Sequence, residues 1–438
     1  MNNNIIKWID EKNKHTNVNI EITKISNSNF WFYDLYNGRV INRKNSFFSI
    51  YGAEYIREDD FIVEQPIIIQ NEIGYLGIVC KINDGMPYFY MQAKIEPGNV
   101  NVVQVSPTIQ ATKSNFTRTH GGSLPKHFEI FEKSNFDNVI YDQIQPEQSS
   151  RFYHKHNRNL IIKYDYNLNL VDNEDFKWIS YCDLMKLFEI DNLINMDTRT
   201  VISGFPLNLV DKKFINEKWL SSINSNDIDN EINMIFHSIG NYSMFCSDRT
   251  ILKPLYELRD WKINEDGIFC NSKSNFDVKY FDISISGREV QRWSQPLFCS
   301  KGSALFGLII KKIYGEYKIL VSIRKYIGSG TYEIAPTIQR EYIENSCESS
   351  DIDKIFNKYL IEKRNIVNDV ILSEEGGRFY HEQNRNVVIE IEDDIDLPDG
   401  YCFVSLGTIK KLICMTQLVN IQLRNLISIL DIFNDCGN

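Results

Sequence analysis

The chain has 438 residues, of which 43% are hydrophobic, 24% charged and 13% aromatic. This suits two soluble domains of roughly 150–200 residues each and leaves little room for disorder beyond a polar N-terminal stub. A formal net charge of −10 excludes a general nucleic-acid binder, which needs a basic surface to neutralise phosphates. A small anionic ligand needs only a local cluster of Arg, Lys and backbone N–H groups.

The opening Met1-Asn2-Asn3-Asn4 lacks the apolar stretch of a signal peptide, and no run approaches the roughly 18 apolar residues of a membrane helix. Nine cysteines are scattered with no C-x-x-C pair, which fits reduced thiols rather than a disulfide scaffold or a zinc site. A cytoplasmic protein with no membrane partner is therefore expected. In chain order, residues 77–82 read as a strand, 83–85 as a turn, and 88–91 and 160–164 as further strands. Residues 181–188 read as an amphipathic helix, and 227–245 carry apolar residues at helical spacing. The run 308–313 is strand-like and closes on a turn at Gly315; 407–413 and 418–430 look helical. Strands with helices segregated to the ends predict an α+β sandwich.

The sequence also repeats itself. Trp31 is answered by Trp261, Gln65-Pro66 by Gln295-Pro296 and Gly77 by Gly307, while Pro107-Thr108-Ile109-Gln110 returns as Pro336-Thr337-Ile338-Gln339. Arg151-Phe152-Tyr153-His154 with Asn157-Arg158-Asn159 returns as Arg378-Phe379-Tyr380-His381 with Asn384-Arg385-Asn386, and Asn195 and Arg199 return as Asn420 and Arg424. Matched blocks in one order at a slowly drifting shift indicate a duplicated domain: residues 20–210, a helical connector 211–249, and residues 250–432.

Three tracts carry candidate chemistry. If the Arg-Phe-Tyr-His block is extended, Arg151 and Tyr153 share one face, and Asn157 and Arg158 on the turn beyond complete a set of donors suited to a diphosphate. The alternative is a structural Arg and a core Tyr. In 91–99, strand alternation puts Gln92, Lys94 and Glu96 on one face; from spacing alone a surface salt bridge is a better reading of Lys94 and Glu96 than an acid/base pair. Residues 106–122 are dense in hydroxyls, amides and donors, as a site-bearing loop or a solvated one would be. His154 and His156 have no carboxylate or third His nearby in sequence, so no metal is expected. The P-loop, the dinucleotide-binding glycine fingerprint, G-x-S-x-G and H-E-x-x-H are absent.

The stretch from Gln92 through Glu96-Pro97-Gly98-Asn99 and Ser106-Pro107-Thr108-Ile109-Gln110 to Thr117-Arg118-Thr119-His120-Gly121-Gly122 resembles the signature of the NDP-hexose 2,3-dehydratases. The duplicated blocks extend the resemblance over nearly the whole chain. It implies two tandem Nudix-like α/β/α domains, a homodimer, a dTDP-4-keto-6-deoxyhexose substrate and no cofactor. The metal-binding box of hydrolytic Nudix enzymes is missing; Arg288-Glu289 and Glu374-Glu375-Gly376 are isolated fragments. The second repeat lacks the Glu-Pro and His-Gly-Gly elements, so the first is expected to hold the active site. Lys94, Glu96 and His120 are its candidates for catalysis, and Gln65, Gln92, Gln110, Arg118, Arg151, Tyr153, Asn157 and Arg158 for substrate binding. Arg378, Tyr380, Asn384 and Arg385 would form a second, non-catalytic nucleotide-sugar site. A metal-dependent nucleotide-sugar pyrophosphatase and a non-catalytic sensor are the rival readings.

Overall fold

Runs of β-branched and aromatic residues set the architecture, which is mixed α/β. The computed structural model describes residues 2–434 apart from 60, 118–122, 166, 289 and 343–349. One seven-stranded sheet runs in the order Val139–Pro146, His156–Lys163, Gly74–Asn83, Met86–Ile95 and Phe176–Ser180, with Val103–Ser106 and Ile109–Ala111 added beside its central hairpin. The second half of the chain builds a sheet of the same order from Ile366–Ser373, Gln383–Ile391, Leu305–Ile313, Glu316–Arg324 and Tyr401–Ser405, again with two short additions. In both, the central hairpin strand pairs in parallel with the strand that follows the Arg-Phe-Tyr-His block. The hairpins close through Asp84-Gly85 and Tyr314-Gly315, all four with positive φ, as primed turns require.

Each half also carries a six-stranded sheet, and here the two halves exchange strands. Val18–Thr23 pairs with Phe276–Ile285 of the second half, while Arg249–Lys253 pairs with Ser49–Ile56 of the first. The backbone interlocks as well. His381 N–H donates to the Gly98 carbonyl at 2.8 Å, and His154 N–H donates to the Gly328 carbonyl at 2.9 Å. Any side chain on Gly98 or Gly328 would collide with the carbonyl of Phe379 or Phe152 respectively, so only glycine permits this approach.

Two fully buried helices, Met196–Ser203 and Ile421–Ser428, pack together at the centre. Each is capped by an asparagine: the Asn195 side chain accepts from Thr198 N–H and that of Asn420 from Leu423 N–H, both at 2.8 Å. The last helix is shorter than its apolar pattern suggests, because Leu418 and Val419 continue into an extended approach to the cap. Glu217–Ile223 and Ile228–Phe245 are helices. Asn157 and Arg158 lie within the strand His156–Lys163 rather than on a turn, since the chain has already turned at His154, which has φ +49°. Among the described residues no group of His, Cys, Asp and Glu is arranged to hold a metal ion, and no helix is long and apolar enough to cross a membrane. Among the described residues six cysteines are free thiols. Cys182 is disulfide-bonded, a departure from the fully reduced set expected.

Candidate active site

A cavity of about 460 Å³ opens where the end of Met86–Ile95 meets the second half of the chain. Strand alternation aims Lys94 into it, and Glu96 follows on the turn to Gly98. Lys94 Nζ donates to the Gln110 carbonyl at 2.8 Å and pairs with Glu96 Oε1 at 3.0 Å. Arg288 Nη1 donates to Glu96 Oε2 at 2.9 Å and to the Ile95 carbonyl at 2.7 Å. Lys94 and Glu96 are therefore a largely buried pair, not a surface one. Burial alone would raise the Glu96 carboxyl, but Arg288 and Lys94 overcome it and hold the group down at about 2.

The second half supplies more of the wall. Arg378 donates from Nη2 to Gln70 Oε1 at 3.0 Å and from Nη1 to the Gly377 carbonyl at 2.8 Å, with its guanidinium over the rings of Phe47 and Phe48. Beside it, Glu375 Oε1 accepts from Gly377 N–H at 2.8 Å. Burial lifts this carboxyl to about 7: Arg378 opposes the rise, while Glu96 and Glu147 add to it. Glu147 accepts from Asn157 Nδ2 at 2.7 Å. Lys155 donates to the Glu72 carbonyl and to Asn157 Oδ1, and its burial brings the ammonium down to about 8. Asp197, in the first turn of Met196–Ser203, is 2% exposed and also lines the cavity. Burial, with Glu147 and Glu375 nearby, pushes its carboxyl well up. Phe30, Trp31, Phe47 and Trp293 form an apolar face.

Of the residues singled out in the sequence, Lys94, Glu96, Gln110, Asn157 and Arg378 meet in this cavity. Arg118 and His120 lie outside the described residues. Gln92 precedes the cavity on the same strand and does not line it. Gln65 donates to the Ser150 carbonyl at 2.6 Å. Arg151 does not line the cavity: it pairs with Glu341 at 2.9 Å and lies over Phe276. Tyr153 and Tyr380 stack on His154 and His381. Arg158 and Arg385 form two-point pairs with Asp142 and Asp369 on the outer edges of their sheets. Asn384 donates to Glu374 Oε1 and accepts from Ala304 N–H. The four residues expected to form a second site thus do not converge, and Arg378 faces the Lys94 cavity instead.

Sequence reasoning missed Asp197, Glu147, Lys155 and Trp293, and it took Arg288 and Glu375 for stray fragments. The available signal was the pair Asn195 and Arg199, which recurs as Asn420 and Arg424 while the acid between them, Asp197, becomes Gln422.

The family model for NDP-hexose 2,3-dehydratase matches residues 2–205 and 236–430. A dTDP-4-dehydro-6-deoxy-alpha-D-glucopyranose 2,3-dehydratase of Streptomyces violaceoruber is 31% identical, covering 98% of this chain and 97% of that protein. Proteins of the same description from Saccharopolyspora spinosa and Amycolatopsis orientalis are 33% and 32% identical, covering 91% and 96% of this chain and 85% and 88% of theirs. Among solved structures, an ADP compounds hydrolase shares 15% identity over 32% of this chain and 77% of that one, at a TM-score of 0.20, too low to bear on the fold. With a donor-rich, carboxylate-lined cavity and a family match across both halves, the chain belongs to the NDP-hexose 2,3-dehydratase family.

Proposed function

We propose that the protein removes water across C-2 and C-3 of a dTDP-4-keto-6-deoxyhexose to give a 3,4-diketo-2,6-dideoxy sugar nucleotide. The observation that carries this reading is the Lys94–Glu96–Arg288 chain of ion pairs facing Glu375 and Asp197 in one cavity. Cationic donors there adjoin carboxyls of very different proton affinity, which is what an elimination through an enolate requires.

The ketone at C-4 acidifies the C-3 hydrogen. Glu375, with an affinity near neutrality, is the base that removes it. Lys94 has three N–H donors and uses two of them, on Glu96 and on the Gln110 carbonyl; the third serves the enolate oxygen. Loss of one such donor costs roughly 2.7–4 kcal/mol in transition-state stabilisation. Glu96, held low by its two cations, is a poor base and fixes Lys94 and Arg288 in position. Phe30, Trp31, Phe47 and Trp293 offer faces for the nucleobase, and Arg288 and Arg292 offer charge for the diphosphate.

The same reading extends to the architecture: two tandem Nudix-like units, 20–210 and 250–432, arose by duplication and are joined by the connector 211–249. Matching strand orders, caps and cross-half contacts support it. The catalytic cavity is built around the first unit, with Glu375 and Arg378 reaching in from the second, because the second unit has Arg324, Tyr326 and Gln422 at the positions where the first has Lys94, Glu96 and Asp197. There the Tyr326 hydroxyl donates to Gln339 Oε1 at 2.7 Å. We place the protein in the cytoplasm, where activated sugars are handled, as the homodimer that the family resemblance implies.

Incubation with dTDP-4-keto-6-deoxyglucose, followed by mass spectrometry, should yield a species lighter by one water, with or without a chelator. Release of dTMP that the chelator abolishes would establish a pyrophosphatase instead. Tight binding with no consumption would establish a sensor.

A further inference from the structure

We propose that Asp197 is the acid that protonates the departing C-2 hydroxyl, an assignment that rests on the dehydratase reading above. The geometry sets Asp197 apart from the other carboxylates of the cavity. Glu96 is clamped by Lys94 and Arg288, Glu147 accepts from Asn157, and Glu375 accepts from the Gly377 N–H. Asp197, among the described residues, has neither a hydrogen bond nor an ion pair, although it is 2% exposed and lines the cavity. A carboxyl buried without a protein partner is costly unless a ligand completes it.

Its position is rigid. The Asn195 side chain caps the helix through Thr198 N–H at 2.8 Å and donates to Gln110 Oε1 at 3.1 Å, tying the first turn to the strand that also holds Lys94 through its carbonyl. The groups bearing on Asp197 are Glu147, Glu375, Glu96 and Lys94. Burial first, and then three carboxyls against one ammonium, raise the proton affinity of Asp197, the direction a proton donor needs. On Ile421–Ser428 the same place is taken by Gln422, an amide that donates hydrogen bonds but surrenders no proton.

The step balances. The base removes C-3 hydrogen as a proton, leaving the C-4 enolate. As the C-4 carbonyl re-forms, the electron pair makes the C-2/C-3 double bond and the C-2–O bond breaks. Asp197 gives its proton to that oxygen, which leaves as water. The resulting C-3 enol tautomerises to the ketone, and the proton held by the base returns to Asp197. No oxidant or reductant is consumed.

This ordering separates Asp197 from the base. In D₂O, Asp197→Asn should still exchange the C-3 hydrogen of dTDP-4-keto-6-deoxyglucose for deuterium at close to the native rate. Its loss of water should fall on the order of 10²–10⁴-fold with KM little changed, and Asp197→Glu should recover part of the elimination. Glu375→Gln should lose exchange and elimination together. Native water loss in Asp197→Asn, or loss of exchange along with elimination, overturns the assignment. Asp197→Ser repeats the test with a smaller side chain; if both variants unfold, Asp197 is structural and the proposal is wrong. If the native protein itself neither exchanges nor dehydrates the sugar, the dehydratase reading is what has failed.

Discussion

Three buried glutamates and the half-buried Glu375 make proton uptake a property of the folded state. Burial raises Glu333, Glu374 and Glu375 to about 7 and Glu382 to about 8; Arg424, Arg199, Arg378 and Arg151, respectively, oppose the rise without cancelling it. Each affinity lies above that of the unfolded chain, so the folded state binds these protons more tightly. The stability they contribute is full below the ordinary glutamate value of about 4.3 and is lost as pH rises through 7 to 8. Glu96 has the opposite sign: its contribution is present at neutrality and lost only as pH falls through about 2. Melting temperature should therefore fall as pH is raised from about 6.5, the ordinary histidine value, to about 8; below that value burial of His127, His154, His156 and His381, which lowers their affinities, acts in the opposite sense. A flat or rising profile over that interval would contradict the burial of these groups. The charge of Glu374 adds to the rise at Glu382.

The two central helices show what a sequence discloses and what it withholds. The hydrophobic runs gave away the hairpin strands, because period-two alternation and turn residues are local properties. The caps Asn195 and Asn420 were visible as repeated residues, yet their reach to Gln110 and Gln339 was not. Asp197 reads as an ordinary acid in a helical first turn; its exposure to a cavity depends on packing from distant segments. The Arg-Phe-Tyr-His block was recognisable, but the assignment of Arg151 and Arg378 each to its own half assumed that a repeat completes its own site. Replacing Asn195 with Ala removes the cap and the tie to Gln110. Denaturant titration should show a loss of about 1–2 kcal/mol, accompanied by slower turnover. Asn420→Ala should lose similar stability and leave turnover unchanged. Equal effects on turnover would argue against a site confined to the Lys94 cavity.

At the scale of the molecule, the cavity belongs to neither half. Lys94, Glu96, Gln110 and Asp197 come from one, and Arg288, Trp293, Glu375 and Arg378 from the other. Two buried arginines bind across the same boundary: Arg199 donates to the Ser373 carbonyl at 2.6 Å, and Arg424 to the Pro146 carbonyl and Thr200 hydroxyl. A chain cut between Asn224 and Ser225, its pieces produced separately, should give two inactive fragments. Produced together, they should form a stable complex with restored dehydration, measured by co-purification and product formation. Activity in the first fragment alone would show that the second contributes nothing to chemistry.

The exchanged strands carry a consequence for biosynthesis. Ile20 emerges from the ribosome long before Ile283, its neighbour in the finished sheet, and Ser49–Ile56 waits likewise for Arg249–Lys253. Throughout that interval the nascent polypeptide presents open backbone edges that could recruit a stranger. Premature termination anywhere before the second sheet would release an orphan with adhesive flanks, its open edges left without the strands that cover them in the finished protein.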